Sequence, residues 1–433
     1  MMAQSANVRA FRGIRYSQDA VPTLDEVVAP PYDVISPEQK ESFLARNSSN
    51  VVRLILPDES PNLDKYSHAA ELLREWIGTG VLMRDVEPSM YVCEQSYDVG
   101  GKTIRRVGLT CLVRLEDYGT GAILPHERVL ARPREDRLSL IRATQANLDS
   151  VFGLHDAGGV QAVLLEITRG EPIAVAKDTV GVTCRMWKVS DPSVVQGLAL
   201  RLNNEPILIA DGHHRYDSAL AYRDEMRAAG TDDRNAPSEF VMMTLVSFED
   251  EGLLILPTHR FVRDIPDFHE ADFLKRLSEY FDVSGLAADD LVEAVGPEQD
   301  GRIVFGLYMG NRTAYLLKLK RGVDPTAIDV PGSDALKRLD VTFLHSMILD
   351  GILGIDTRTP EGQARVAYTR DDAEAIARVD GGEFRMSFIM NAMGVREVRE
   401  VAAAGDIMPQ KSTFFYPKLL TGMVIRAMDQ GGG

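Results

Sequence analysis

An abrupt change from an apolar run to a charged turn constrains the fold of this chain most. Residues 205–230 read "EPILIADGHHRYDSALAYRDEMRAAG". The run "ILIA" is typical of a buried strand, and the residues beyond the turn indicate an amphipathic helix. The chain therefore passes from strand to helix at Asp211-Gly212-His213-His214-Arg215, which predicts a unit of a mixed α/β sheet.

This junction is predicted to bind phosphate. A helix N-terminus presents unpaired N–H groups and a partial positive charge, and a glycine just before it lets an anion approach the backbone closely. Arg215 adds a planar set of donors that suits phosphate oxygens, and His213 or His214 can donate to a phosphate or to a transferred group. Asp211 lies too close to such an anion to contact it, so we assign it to a magnesium ion, a substrate ammonium or the neighbouring loop.

The alternative is that Asp211 only caps the helix and that the histidines are ordinary polar groups. Zinc fits less well, because adjacent histidine side chains diverge.

The length of 433 residues predicts more than one domain. The composition is that of a globular protein, and the pattern changes after about residue 265. A helix ("HEADFLKRLSEYF"), a hairpin ("GRIVFGLYMGNRTAYLLKLK"), a buried helix ("LDVTFLHSMILDGIL") and a strand, helix and strand follow. We therefore expect a catalytic region over residues 1–265 and a C-terminal α/β region over residues 266–433.

Several local elements are predicted in the first region. Ser36-Pro37-Glu38 is typical of a helix start, and "LDKYSHAAELLREWIGTG" has apolar residues at helical spacing. A hairpin is predicted around Gly100-Gly101, where Gly-Lys-Thr resembles only half of a phosphate loop. The segment "EFVMMTLVSFEDEGLLILPTHRF" is interpreted as two strands joined by an acidic turn.

A second candidate cluster is Pro125-His126-Glu127-Arg128, in a loop before "RPREDRLSLIRATQ". An acid beside a histidine and several arginines can act as a general base toward a hydroxyl group. A solvated charged turn explains the same residues.

Three further segments are candidates for binding. Tyr32 and Asp33 follow Pro30-Pro31 in a rigid loop that could present both side chains to a ligand. Lys411-Ser412-Thr413 offers a charge and two hydroxyls for phosphate, although an edge strand between prolines accounts for these residues as well. His259-Arg260 follows a predicted strand, where a structural ion pair is the alternative.

Charge and cysteine content restrict the class of protein. With 48 basic and 64 acidic residues, the chain has a net charge of −16 and should repel polyanions, which argues against broad nucleic-acid binding. Its three cysteines form no CxxC pattern, which suits a reducing compartment. The N-terminal residues lack an apolar signal-peptide core and no run is long enough to span a membrane. We therefore expect a cytoplasmic protein.

Five segments together resemble a known family. "APPYDVI", "PHER", "ADGHHRYDSAL", "PTHR" and "MPQKSTFFYPKLLTG" resemble a bacterial family described as a domain of unknown function. "ADGHHR" is also similar to the phosphate-binding signature of the ParB and sulfiredoxin superfamily, in particular of free-serine kinases, which phosphorylate L-serine with ADP or ATP.

The resemblance implies a ParB/sulfiredoxin-like nucleotide-binding core with additional N-terminal and C-terminal α/β regions. It implies an ATP- or ADP-dependent kinase that forms O-phosphoserine, with a magnesium ion held by Asp211. An insertion is required, because compact members keep the glutamate and phosphate motifs closer together. The resemblance implies that Glu127 is the catalytic base and that Gly212, His213, His214 and Arg215 bind phosphate. From the chemistry of the residues we add Asp211 and His213 as catalytic, Lys411, Ser412 and Thr413 as phosphate-binding, and Tyr32, Asp33, His126 and Arg260 as substrate-binding.

Two other functions remain open at this point. A non-catalytic nucleotide or amino-acid sensor would use the same pocket without a base. A ParB-like, nucleotide-dependent switch on DNA would need a basic face or a helix-turn-helix, and neither is evident. The expected partners are a nucleotide and a small hydroxyl compound, without membrane, and a homodimer is left open.

Overall fold

Strands and helices alternate along the chain, and the predicted mixed α/β class is confirmed. The structure is a computed structural model that describes residues 7–127, 131–203, 205–296 and 301–428. Its contacts group the chain into two compact units. Unit 1 comprises residues 1–125, 129–253 and 417–433, and unit 2 comprises residues 126–128 and 254–416. The domain boundary predicted near residue 265 stays a prediction, because a compact group of contacts is not an independently folding domain.

The strands are short except for one long hairpin. In chain order they are β1 (Val8–Arg9), β2 (Ile14–Tyr16), β3 (Leu82–Arg84), β4 (Met90–Val99), β5 (Lys102–Arg114), β6 (Ile123–Leu124), β7 (Ala146–Asn147), β8 (Val151–His155), β9 (Ala174–Lys177), β10 (Thr183–Val189), β11 (Ile207–Asp211), β12 (Phe240–Ser247), β13 (Leu254–Ile255), β14 (His259–Val262), β15 (Phe281–Ala287), β16 (Val304–Tyr308), β17 (Thr313–Leu319), β18 (Val366–Thr369), β19 (Met386–Ile389), β20 (Phe415–Tyr416) and β21 (Arg426–Ala427).

The helices lie between these strands. In chain order they are α1 (Pro37–Arg46), α2 (Val52–Ile55), α3 (Lys65–Gly78), α4 (Ala131–Thr144), α5 (Val160–Ile167), α6 (Pro192–Leu202), α7 (His213–Ala228), α8 (Glu270–Tyr280), α9 (Leu291–Val295), α10 (Asp334–Lys337), α11 (Asp340–Phe343), α12 (Pro360–Ala364), α13 (Asp372–Asp380) and α14 (Val395–Ala403). A π-helix, Leu344–Ile352, continues directly from α11. Among the helices of the described ranges, none combines the length and the apolar character needed to cross a membrane.

Unit 1 is built around a large mixed sheet with the order β6-β11-β8-β12-β5-β4-β10-β9, and β1 pairs with β5. The β11–β6 and β12–β8 pairs are parallel, and the other pairs are antiparallel. Apolar side chains such as Val92, Leu109, Ile209 and Met243 are completely buried in its main core. β11 lies one strand from the sheet edge, so its C-terminal end delivers the Asp211 turn to the rim of this sheet.

Unit 2 contains a separate antiparallel sheet with the order β15-β17-β16-β19-β14-β18. The two-stranded pair of β13 and β20 also belongs to this unit. The buried helix predicted from "LDVTFLHSMILDGIL" is confirmed, but it changes from α to π geometry at Leu344.

The local predictions of elements are confirmed. Ser36 caps α1, β4 and β5 form the hairpin around Gly100-Gly101, and α8 and the β16–β17 hairpin lie where expected. The two strands predicted on either side of the acidic turn are β12 and β13, and they pair with different partners. β12 is already paired on both edges, with β5 and β8, so β13 has no free edge there and pairs with β20 instead.

Candidate active site

The strand-to-helix turn has the backbone of an anion-binding site. β11 ends at Asp211, and α7 begins at His213 after Gly212, which has a left-handed conformation with φ 89°. The helical bonds start with Tyr216 N–H donating to the Gly212 carbonyl at 3.0 Å. The N-cap position of this 16-residue helix is Gly212, which has no side chain to cap it. The N-terminus of α7 therefore follows a residue that leaves its backbone accessible to an anion.

Arg215 folds back against Gly212. A Cβ atom added to Gly212 would lie 2.7 Å from Arg215 Nε and 2.8 Å from its Cζ. Both the backbone angle and this contact require glycine at the position. The guanidinium of Arg215, a residue in the first turn of α7, thus packs against the backbone of the predicted phosphate site.

The positive charge of Arg215 is balanced by acidic groups inside unit 1. Its Nη2 donates to Asp211 Oδ2 at 2.7 Å, and its Nη1 bonds the Ser150 carbonyl and lies 3.6 Å from Asp149 Oδ2. The side chain is only 6% exposed. Arg215 is consequently an internal support for the turn, and its predicted contact with phosphate stays a prediction.

Lys418 completes this network and was not predicted. Its ammonium pairs with Asp211 Oδ1, and its side chain is 12% exposed. Burial alone would raise the pKa of Asp211, but the positive charges of Lys418 and Arg215 outweigh burial and hold that pKa well below its usual range. The sequence signal was present in "FFYPKLLTG", where we considered only the earlier Lys411-Ser412-Thr413.

Asp149 is the second carboxylate beside Arg215 and was also missed. Burial raises its pKa, and the charges of Arg215 and Arg137 only partly oppose that shift. Its Oδ2 atom and Arg215 Nε are buried without a hydrogen-bond partner in the described residues.

The predicted Tyr32 and Asp33 loop lies near the same network. The Arg137 guanidinium sits 4.0 Å from the centre of the Tyr32 ring, and burial raises the pKa of Tyr32. The charge of Asp33 acts on Tyr32, Asp149 and Arg215. The structure therefore brings two predicted segments of unit 1 together. Of the two histidines in the turn, His213 is buried and His214 is partly exposed.

The other predicted residues gather in unit 2. Glu127 Oε1 accepts a hydrogen bond from Lys411 N–H at 3.1 Å, and His126 Nε2 lies 2.8 Å from Thr413 Oγ1. Met408 N–H donates to the His126 carbonyl at 2.9 Å. The "PHE" and "KST" motifs, far apart in sequence, are thus held side by side mainly through backbone groups. Arg128 lies outside the described residues.

Arg260 joins this second cluster. Its guanidinium is 2% exposed and donates to the carbonyls of Thr258 and Lys411, the latter at 3.0 Å. Burial lowers its pKa to about 10, and within the described ranges no carboxylate pairs with it. His259 Nε2 instead lies 2.7 Å from Asp372 Oδ1, and burial lowers the pKa of His259, so this contact is a hydrogen bond that becomes an ion pair only when His259 is protonated.

The residues present do not fit a protein-bound magnesium ion at Asp211. Its two carboxylate oxygens are engaged by Arg215 and Lys418, and the described ranges contain no group of three or more His, Cys, Asp or Glu side chains that could hold a metal. Magnesium favours carboxylates that are free to face it together with phosphate oxygens.

Several solved structures are similar to this chain, but only at low sequence identity. The chain is similar to solved structures of a conserved hypothetical protein from Pyrococcus furiosus (16% identity, TM-score 0.33, 72% of this chain and 92% of that chain) and a free serine kinase in complex with AMP (13%, 0.36, 71% and 86%). It is also similar to SbnI with a C-terminal truncation from Staphylococcus aureus (10%, 0.34, 75% and 90%). With TM-scores and identities this low, these likenesses say nothing about activity. No curated protein matches the sequence.

The sequence itself matches a family model over most of its length. The model described as "Protein of unknown function (DUF1015)" matches residues 8–342. That span covers well over half of the chain and includes both the Asp211 turn and Glu127. The resemblance to a family of unknown function is therefore confirmed, and this protein belongs to the DUF1015 family.

Proposed function

We propose that this protein is a nucleotide-dependent kinase of a small hydroxyl compound, with free L-serine as the first acceptor to test. The observation that carries the proposal is the start of α7 directly behind the left-handed Gly212, supported by Arg215, Asp211 and Lys418, whose side chains are largely buried. Phosphoryl transfer depends mainly on positioning and on neutralising charge, and a rigid turn of N–H donors supplies both.

In this proposal the phosphates of ATP or ADP bind the backbone N–H groups at the start of α7. His213 and His214 add side-chain donors, and Arg215 holds the turn from behind through Asp211. Magnesium is proposed only as an ion that arrives with the nucleotide, since the Asp211 oxygens are already paired.

Glu127 is the proposed general base. The Lys411 N–H group donates to its carboxylate, which fixes its orientation. The acceptor hydroxyl gives its proton to Glu127, its oxygen forms a bond to the terminal phosphorus, and the bridging P–O bond breaks to release ADP from ATP or AMP from ADP.

The remaining predicted residues are assigned to the acceptor. Arg260 carries a buried positive charge without a carboxylate partner in the described part of unit 2, which suits the carboxylate of an amino acid. His126 is proposed to contact the same acceptor, and Tyr32 and Asp33 stay candidate substrate contacts of unit 1. Ser412 and Thr413 lie in the loop that holds Glu127 and His126, so we propose that this loop positions the acceptor side.

Phosphorus NMR tests the proposal. Purified protein is incubated with magnesium, ATP or ADP, and a panel of hydroxyl compounds headed by L-serine. We expect a new phosphomonoester signal, reduced about 100-fold or more in Glu127→Gln, while nucleotide binding persists. Glu135→Gln, at an exposed acid of α4, is the matched control and should retain activity.

The other outcomes are equally informative. Nucleotide that binds but remains intact with every acceptor would favour the sensor over the kinase. Full activity in Glu127→Gln would remove Glu127 as the base while leaving phosphoryl transfer in place.

A further inference from the structure

A small cavity in unit 1 lies outside the residues predicted from the sequence. It has a volume of about 40 Å³ and is bordered on one side by the C-terminal segment 419–424. Its polar lining includes Asp149, Ser150, Thr110 and Thr244. A cavity of this size has room for a few water molecules or one ion, and it is too small for an amino acid or a nucleotide.

Three hydroxyl groups form a continuous row along the cavity. Ser150 Oγ lies 2.8 Å from Thr244 Oγ1, and Thr244 Oγ1 lies 2.8 Å from Thr110 Oγ1. The two threonines are direct cross-strand partners on β12 and β5. Each hydroxyl has one proton and two lone pairs. When the three hydroxyls donate their protons to one another or to neighbouring groups, they still have oxygen lone pairs that can face the cavity.

Asp149 lines this cavity and carries a carboxylate oxygen that lacks a hydrogen-bond donor among the described residues. This oxygen, Oδ2, is buried. The nearest cation, Arg215, lies 3.6 Å away and is committed more closely to Asp211 at 2.7 Å. A buried carboxylate oxygen without a donor is costly, so either a proton or a cation is expected to satisfy it.

We propose that this cavity binds a monovalent cation, such as potassium or ammonium, through the Asp149 carboxylate and the hydroxyl oxygens of Ser150 and Thr244. The charge of the lining selects the class of ion. The lining also contains Arg185, which pairs with Glu94, so the Asp149 carboxylate leaves a single negative charge to balance, whereas calcium and magnesium favour sites richer in carboxylates and water. Glu94 also lines the cavity, but its carboxylate is paired with Arg105 and Arg185.

Cation binding in this cavity would not require phosphoryl transfer. Asp149 belongs both to the cavity and to the surroundings of Arg215, so an ion here would also screen the carboxylate that competes with Asp211 for Arg215. Its expected effect is therefore on the stability of unit 1, and it can be measured without any substrate.

Thermal unfolding in different chloride salts provides the test. The melting temperature of the whole chain is measured in potassium, ammonium or sodium chloride against tetramethylammonium chloride at equal ionic strength, because the bulky cation cannot enter the cavity. We expect a saturable rise of about 2–5 °C with the small cations. Nitrogen-15 ammonium should also give a bound NMR signal that potassium displaces.

Two variants and a control connect the effect to the cavity. Asp149→Asn should abolish the cation-specific shift. Thr244→Val keeps the side-chain shape and should weaken the cation midpoint about 10-fold, which protects the test if Asp149→Asn fails to fold. Asp117→Asn changes an exposed acid and should keep the full shift.

Two results would overturn the proposal. Equal melting temperatures in all salts, with no bound ammonium signal, would mean that a proton or water satisfies Asp149. A full cation-specific shift that survives in Thr244→Val and in folded Asp149→Asn would locate the ion elsewhere.

Discussion

Gly212 shows how one residue can determine the geometry of the whole turn. Its left-handed backbone lets β11 turn directly into α7, and the missing side chain leaves space for the Arg215 guanidinium. Because Arg215 bonds both Asp211 and the Ser150 carbonyl, this contact links the turn to the start of β8. Any side chain at this position should therefore disturb the predicted phosphate site and its support together.

Gly212→Ala is expected to destabilise unit 1 for two additive reasons. A left-handed alanine costs about 1–2 kcal/mol, and the new methyl group must displace Arg215, which adds about 1–3 kcal/mol. Gly230→Ala is the matched control, because Gly230 has φ 99° with open space around its Cα. Urea unfolding of both variants should show a larger loss for Gly212→Ala, and equal losses would contradict the contact with Arg215.

Lys418→Met should reveal the charge balance at Asp211 through pH. The folded-state pKa of Asp211 lies below its unfolded value, so its contribution to stability is present above about pH 4 and declines as pH falls further. Removing Lys418 leaves Asp211 with one cation and should cost about 2–4 kcal/mol at pH 7. The gap from wild type should narrow as pH falls below about 4 in denaturant titrations. Lys411→Met, at an exposed lysine, should show neither effect, and a gap that is constant with pH would contradict the pairing.

The sequence predicted features made by neighbouring residues, and it missed contacts between residues that are far apart in the chain. The Asp211 turn was predictable because an apolar run, a glycine and a helical pattern occur within a few positions. Lys418 reaches Asp211 across 207 positions, and Asp149 meets Arg215 across a sheet pairing, so no local pattern contains either contact. The burial of Arg215 depends on the same distant acids, so its place inside unit 1 could not be predicted from the local pattern either.

At the scale of elements, the periodicity of apolar residues predicted which helices and strands exist better than it predicted which strands pair. The β4–β5 hairpin was predictable because a tight turn fixes its register. The separation of β12 from β13 was not, because it depends on β8 occupying the other edge of β12. The π geometry after α11 also has no local sequence signature, although the apolar pattern predicted a buried helix there.

The junction of α11 and α14 provides a prediction at this scale. Burial raises the pKa of Asp340, the first residue of α11, to about 7, and the negative charge of Glu397 on α14 adds to the shift. The folded state therefore binds the proton more tightly than the unfolded state, so stability falls as pH rises from about 4 to about 7. Asp340→Asn should remove this decline in urea unfolding at pH 4.5, 6 and 8. An undiminished decline would contradict the assignment, whereas Glu397→Gln should reduce it only in part.

At the scale of the whole molecule, net charge opposes the ligand that the local site is proposed to bind. A chain with a net charge of −16 repels nucleotides and nucleic acids at long range. Affinity for phosphate must then arise from a few aligned N–H donors over a short distance. This arrangement can bind one nucleotide but lacks the extended basic face that a duplex requires.

Duplex DNA should accordingly fail to bind. Fluorescence polarisation of a labelled duplex at moderate salt is expected to remain flat in the absence and presence of ATP. Saturable binding that depends on ATP would instead support a nucleotide-dependent switch on DNA and would weaken the kinase proposal.

Calorimetric titration with ADP tests the central claim, that the Gly212 turn binds nucleotide phosphates, most directly. We expect wild-type protein to bind ADP but not adenosine, and Gly212→Ala to lose affinity by about 10-fold or more, while His68→Ala, at a histidine on α3, binds as wild type does. Circular dichroism confirms that each variant is folded. Unchanged ADP binding in folded Gly212→Ala would contradict the claim.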